Sequence, residues 1–305
     1  MGSGNGDGVF GWPRRGLDEA GYNYYPIFYC FDTVDAARQW EIVVTKAIEK
    51  WQLALYPYSG LRIQLHPYCR GNSYVTCNQI RSPTDWFKIE DGGGEGSSSS
   101  STGYDYYERN PYEKLTLRGY DARTHDMLVV DCAHELGHTM GLGHEHQRPD
   151  RDEWLEFHCN NLAGASAAHD DIDENGDSDI DFIGLNHDQR FDMACTTRDK
   201  AERYFPEALS YIKYEYLGYP WTNFEKDAGA LDVDSIMIYS TWQAIDEEPD
   251  EENDFDYAEL FYYDEHANLA AIYQGGNLRP LLAGPTRRNV MRVIYLYPKW
   301  DGQAD

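Results

Sequence analysis

His134-Glu135-Leu136-Gly137-His138-Thr139-Met140-Gly141-Leu142-Gly143-His144 is the stretch that decides what this chain is. His134 and His138 are four residues apart, so on a helix both imidazoles leave one face and can share one metal ion. Glu135 follows the first of them and is placed to act on a metal-held water rather than on the metal. Gly141 ends the helix, because glycine tolerates the positive φ that turns the chain back. That turn can bring His144 round as a third ligand. Three neutral nitrogens leave a fourth zinc position open, which is the pattern of a catalytic site and not of a structural one. The spacing therefore predicts one Zn2+ per chain on His134, His138 and His144. A run of surface histidines on an ordinary helix is the alternative, and Gly141 and His144 at their offsets argue against it.

The residues that follow extend the pattern. His144-Glu145-His146-Gln147-Arg148-Pro149-Asp150-Arg151-Asp152 resembles the extended zinc signature of the astacin peptidases, His-Glu-x-x-Arg-x-Asp-Arg-Asp. Downstream, Ser235-Ile236-Met237-Ile238-Tyr239 resembles that family's Met-turn, Ser-x-Met-His-Tyr, with Ile238 where the family has His. Trp12-Pro13 with Tyr24-Tyr25-Pro26 resembles the start of a mature astacin domain, and the run from Asn289 to Pro298 resembles its closing segment. The likeness runs in outline over residues 12–299 and is specific only at 134–152 and 235–239.

The resemblance implies an α+β fold: a metzincin, or zincin-like, catalytic domain with a twisted sheet and long helices above the cleft, and a mostly irregular and helical second half. It implies a zinc endopeptidase that hydrolyses peptide bonds in protein or peptide substrates, with Glu135 as general base. It gives Tyr239 the stabilisation of the oxyanion, Met237 the apolar floor under the zinc, and Glu145 the carboxylate that receives a buried N-terminus. Arg148, Asp150 and Arg151 read as buried ion-pair structure. A catalytically silent zinc-binding or interaction domain on the same fold is the alternative. The complete triad and Glu135 argue against it. His146, two residues past the third ligand, is assigned no role, like the other scattered histidines.

At 305 residues the chain can bury one large core or two small ones. It carries 26 basic and 53 acidic residues, a formal charge of −27, which makes nucleic acid and anionic membrane surfaces poor partners. No stretch approaches the length of a transmembrane helix. The six cysteines (30, 69, 77, 132, 159 and 195) form an even set, as in secreted disulfide proteins, and none is spaced as a Cys-x-x-Cys motif. Six cysteines allow 15 pairings, among which the sequence does not select; Cys69 with Cys77 and Cys159 with Cys195 are expected only because each closes a local loop. Residues 1–11 read as a flexible N-terminus without the basic and apolar regions of a signal peptide, and 300–305 as a tail. Secretion thus rests on the family resemblance and the cysteines.

Along the chain, Trp40, Val43, Val44, Ala47, Ile48 and Trp51 repeat at helical spacing within residues 33–55, after Asp32 or Thr33 as N-cap. The runs beginning at Leu61, Trp86 and Lys114 read as strands. Residues 91–103, rich in Gly and Ser, read as a flexible surface loop. Residues 126–140 form the ligand helix, with Met127, Val130, His134 and His138 on its inward side, and 199–217 form a helix interrupted near Pro206. Residues 170–181 and 246–256 read as acidic insertions. Within the first of these, Asp171, Asp173, Asn175 and Asp177 place oxygens at alternate positions, with Gly176 sixth, like the first part of an EF-hand Ca2+ loop. The twelfth position is Phe182 instead of a glutamate, so a solvated acidic surface is the preferred reading and weak calcium binding the other.

Overall fold

The computed structural model describes residues 11–69, 76–80, 86–94, 96–104, 113–121, 123–213, 231–241, 258–263, 269–272 and 284–299. They divide into two compact units. One is built from described residues between 11 and 143, with 235–237 and 284–299. The other comprises described residues between 144 and 234, with those between 238 and 272.

The first unit is organised by strand Tyr25–Phe31 (β1), helix Val34–Leu55 (α1), and strands Leu61–Leu65 (β2), Trp86–Asp91 (β3), Ser99–Ser100 (β4) and Glu113–Leu117 (β5). They form a five-stranded sheet of order β2-β1-β3-β5-β4, parallel except for β4, which runs antiparallel to β5. β1 lies between β2 and β3 and is apolar on both faces, as expected of an interior parallel strand covered on both sides. Its Pro26 lacks a donor, yet pairing with β3 begins only at Phe28, so on that side no ladder bond is lost. α1 is capped by Thr33, whose side chain accepts from the Ala36 N–H. Its Trp40, Val43, Val44, Ala47, Ile48 and Trp51 are all buried, as the periodicity requires.

Helix His125–Thr139 (α2) carries the first two candidate ligands and packs into the same core through Leu128, Val129, Ala133 and Leu136. Met127, expected on the inward side, is 46% exposed, and it is its neighbours Leu128 and Val129 that are buried. The expected surface loop at 91–103 is also corrected in part. Ser99 and Ser100 pair with β5, and the Gly103 N–H donates to the His138 carbonyl at 2.8 Å, tying this segment to the end of α2.

In the second unit, Ala165–Asn175 (α3), His187–Thr196 (α4) and Arg198–Tyr204 (α5) surround a core that includes Ile172, Phe182, Phe191 and Tyr204. A 3-10 segment, Pro206–Tyr211, follows α5, so the helix expected over 199–217 does end before Pro206; residues 214–217 lie outside the described residues. Strands Leu155–Phe157 (β6), Leu260–Tyr263 (β7) and Leu269–Ala271 (β8) form a small antiparallel sheet in that order. The 170–181 segment is therefore largely helix α3 and its continuation, not a loop, whereas residues 246–256 and the terminal stretches 1–10 and 300–305 lie outside the described residues. Helix Arg287–Leu296 (α6), back in the first unit, is capped by Thr286 and Asn289.

The disulfides are Cys30–Cys77 and Cys159–Cys195. The second is the expected pairing and the first is not. Cys69 remains a buried free thiol, as does Cys132. Sequence distance misleads here, because β1 brings Cys30 into the same buried cluster as Cys69 and Cys77. Among the described residues, no helix is long and apolar enough to cross a membrane.

Candidate metal centre

α2 presents His134 and His138 one turn apart, both less than a tenth exposed. Met140 caps the helix, and Gly141 then takes φ +96°, a conformation glycine enters without strain. Beyond that turn the chain reaches His144. One ligand atom from each of the three histidines lies within 4.8 Å of the other two.

The hydrogen bonds of the rings show which atoms those are. His134 Nδ1 is 2.6 Å from the Ile236 carbonyl, and His138 Nδ1 is 2.9 Å from the Leu142 carbonyl. A carbonyl only accepts, so each Nδ1 carries the proton and each Nε2 keeps its lone pair. The two Nε2 atoms approach to 3.1 Å, an arrangement that suits two lone pairs sharing one cation. His144 Nδ1 is 2.7 Å from Gln147 Oε1, which fixes the third ring in the same sense. The 3-10 turn Glu145–Gln147 accounts for that bond, since residues three apart eclipse in such a turn. Burial lowers His134 to about 4, and burial followed by the neighbouring His134 lowers His138 to about 3, so both rings are neutral ligands at pH 7.

Glu135 is 6% exposed, and its Oε2 is a buried oxygen without a hydrogen-bond partner. Burial first, and then the charge of Asp131 one turn earlier, raises its carboxyl to about 8. An unpartnered buried carboxylate is costly unless something else engages it. Beside three imidazole nitrogens within 4.8 Å of one another, it fits a site for a divalent cation of borderline softness and a water. Zinc suits these donors.

Met237 is fully buried in the same unit as α2. A Cβ on Gly137 would lie 2.3 Å from the Met237 sulfur, so the absence of a side chain at 137 admits the methionine against the helix. The turn is held by Asn289, whose Oδ1 lies 3.3 Å from the Ile236 N–H and whose Nδ2 donates to Ser235 Oγ at 2.8 Å. Gly137, Asn289 and Gln147 were not singled out from sequence. Gln147 was reachable from the i, i+3 rule, whereas Gly137 and Asn289 depend on contacts distant in the chain.

In the second unit, the Tyr239 ring lies 4.6 Å from that of His144 and 4.4 Å from that of His146. Ile238, where the resembled family has histidine, is fully buried with Leu155, Leu231, Leu260 and Ile272. Glu145 is fully buried, accepting from Arg148 at 2.9 Å and from the Asp232 N–H at 3.0 Å. The N-terminal residues that the resemblance brings to Glu145 lie outside the described residues. Arg148 also grips Asp150 through two bonds, and Arg151 donates to Asp152 and to the carbonyls of His146 and Tyr211.

The calcium reading is not supported. Asp171, Asp173 and Asn175 lie on α3, where a helical backbone does not gather alternate side chains round one ion. Several carboxylates of the segment are also engaged elsewhere. Asn175 Nδ2 donates to Asp171 at 2.5 Å and Arg190 donates to Asp177 at 2.7 Å, whereas Asp173 only lies near His187, 2.7 Å from its Nδ1. Asp179 is held by Lys200 through both oxygens at 2.9 Å. Among the described residues, only His134, His138 and His144 form a metal-type group of three or more side chains.

The family model described as astacin, a peptidase family, matches residues 126–203. Among named relatives, "Astacin-like metalloprotease toxin 4" of Loxosceles laeta is 47% identical over 58 residues, 17% of this chain and 51% of that protein. "Nematocyst expressed protein 6" of Nematostella vectensis is 59% identical over 29 residues, 10% of each chain. The matched stretches thus span about half or less of the length of these relatives. Among solved structures, the high choriolytic enzyme 1 of Oryzias latipes, a hatching-enzyme zinc protease, aligns over 94% of both chains with a TM-score of 0.53 and 14% identity, a likeness of fold. The α+β, zincin-like architecture read from the sequence is therefore the one observed.

Proposed function

We propose that this chain, astacin-like in its metal-ligand segment, is a secreted zinc endopeptidase that cleaves peptide bonds in proteins or peptides. The observation that carries the reading is Glu135. It is a buried, hydrogen-bond-free carboxylate oxygen next in sequence to one of three histidines whose Nδ1 atoms are all engaged, leaving their Nε2 atoms for a metal. His134, His138 and His144 would hold a zinc ion, which would supply Lewis acidity and lower the pKa of a water to about 7. Glu135 takes the proton of the attacking water and passes it to the leaving amine nitrogen. The Tyr239 hydroxyl serves the developing oxyanion from beside His144. Met237 carries no chemistry and fills the space that Gly137 leaves under the helix.

Secretion is supported by the two disulfides, which persist in oxidising compartments, and by the occurrence of toxins among the matched relatives. The test is hydrolysis of casein and of a fluorogenic peptide, with and without a chelator and with zinc restored. Activity that disappears with chelation and returns with zinc is the expected result. No hydrolysis by the zinc-loaded chain would leave a zinc-binding domain without this activity.

A further inference from the structure

His146 stands two residues past the third ligand, lacks ligand spacing, and is nonetheless fully buried. Its Nε2 lies 2.9 Å from the Ser210 carbonyl, and its Nδ1 lies 3.2 Å from the backbone nitrogen of Tyr239. These partners leave one arrangement of protons. A carbonyl only accepts, so Nε2 carries the hydrogen; a backbone N–H only donates, so Nδ1 carries the lone pair. The ring is thus a neutral connector, bonded at one nitrogen to the 3-10 segment Pro206–Tyr211 and at the other to the first residue after the Met237-Ile238 pair.

Its faces are occupied as well. The ring is stacked on His144 with centroids 4.9 Å apart and planes at 24°. It lies 4.4 Å from Tyr239 and 5.4 Å from Tyr211, whose hydroxyl donates to the buried Glu259 at 3.1 Å. Tyr239 therefore meets His146 twice, through its backbone N–H and through its ring. The tyrosine side chain must place one hydroxyl accurately while its own backbone lies outside any helix or strand. A fixed backbone nitrogen and a ring wall supply that accuracy.

We propose that His146 is the positioning residue for Tyr239, holding its backbone and ring so that the phenol is set for the oxyanion; this rests on the endopeptidase reading above. His146 touches neither substrate nor metal in this role. It acts through the tyrosine.

Two amide substitutions separate its two bonds. His146→Asn places an acceptor at the reach of Nδ1 and keeps the bond from the Tyr239 N–H, whereas His146→Gln reaches as far as Nε2, keeps Ser210 and gives up Tyr239. The first readout needs no metal or substrate: NMR-detected hydrogen exchange of the Tyr239 amide in the full chain. Protection is expected in the wild type and in H146N and is expected to be lost in H146Q. The second is steady-state hydrolysis of a fluorogenic peptide. H146Q should lower kcat by about tenfold, the scale of one lost hydrogen bond, with KM and zinc content unchanged. In a Tyr239→Phe background the same substitution should lower kcat no further, because the group it positions is gone.

A Tyr239 amide that is unprotected in the wild type overturns the proposal without any variant, and so covers the case in which H146Q does not fold. Equal protection in H146Q, or an undiminished kcat loss in the Tyr239→Phe background, also overturns it. A wild-type chain that hydrolyses nothing overturns the endopeptidase reading instead, and the exchange comparison tells that failure apart from failure of the anchoring itself.

Discussion

Segments 134–144 and 171–179 both set metal-type side chains at regular intervals, and they differ in what those side chains already hold. In the first, the second nitrogen of each ring is bonded to a carbonyl or side-chain oxygen, so the Nε2 atoms remain as donors to a metal. In the second, carboxylate oxygens are spent on neighbours: Asp171 on Asn175, Asp177 on Arg190, Asp179 on Lys200. Backbone conformation makes the difference. A spacing of four gathers side chains on a helix, whereas alternate positions gather them only on an extended or looped chain. Segment 134–140 is helical and its spacing is helical. Segment 171–175 is helical and its spacing is not.

The contrast can be broken at several points, the largest effect coming at the base. Glu135→Gln is expected to retain zinc and fold and to lose about three decades in kcat, because the proton acceptor is gone while the ligands stay. Metal analysis with peptide kinetics on one preparation checks it. Near wild-type turnover would show that another group activates the water.

Acid separates the segments next. In the chelator-treated chain, His134 and His138 have folded pKa values of about 4 and about 3, below the value of about 6.5 for the unfolded chain. The unfolded chain therefore binds more protons between about pH 6.5 and 4, and folding stability should fall as pH falls through that window, at a limiting slope of about 1.4 kcal/mol per pH unit for each ring. Asp179 behaves differently. Its hydrogen bonds with Lys200 hold its carboxyl below the usual range, so its contribution persists above about pH 4 and is lost only below it. Denaturant melts of the metal-free chain from pH 8 to 3 should show an early decline near pH 6, and a curve flat down to pH 4 would contradict the assignment of buried neutral rings.

Gly137→Ala tests the packing beneath the first segment. The new methyl meets the Met237 sulfur in a core without spare room, and overpacking of this kind costs about 1–3 kcal/mol, read as a lower midpoint of unfolding. The smallest effect belongs to the second segment. Asp171→Ala with Asp173→Ala removes surface contacts worth less than about 1 kcal/mol and should leave calorimetry with calcium as silent as in the wild type. Calcium binding that the double variant abolishes would restore the loop reading.

Much of this molecule was legible in its sequence, for identifiable reasons. The buried faces of α1 and, beyond its first turn, α2 followed from 3.6-residue periodicity, an N-cap at Asp32 or Thr33 from capping chemistry, and the ligand turn from Gly141. What escaped depended on contacts distant in the chain. Pro26 disguised β1, because the register that spares it a missing bond is set by β3. Cys77 reached past Cys69 to Cys30 for the same reason: β1 supplies the nearer partner in space. Met127 followed the helical face in sequence, but Leu128 and Val129 are the residues of that turn and the next that enter the core. His146 has no ligand spacing, and its value lies in two backbone groups, of Ser210 and Tyr239, that no side-chain motif encodes.

Zinc content measured on the full chain and on His138→Ala, by elemental analysis after dialysis against a weak chelator, bears most directly on the site. One zinc per wild-type chain and almost none in the variant is the predicted result, because two remaining imidazoles cannot hold the ion against competition. A wild-type chain without stoichiometric zinc, or a variant that retains as much as the wild type, would contradict the assignment of His134, His138 and His144 as its ligands.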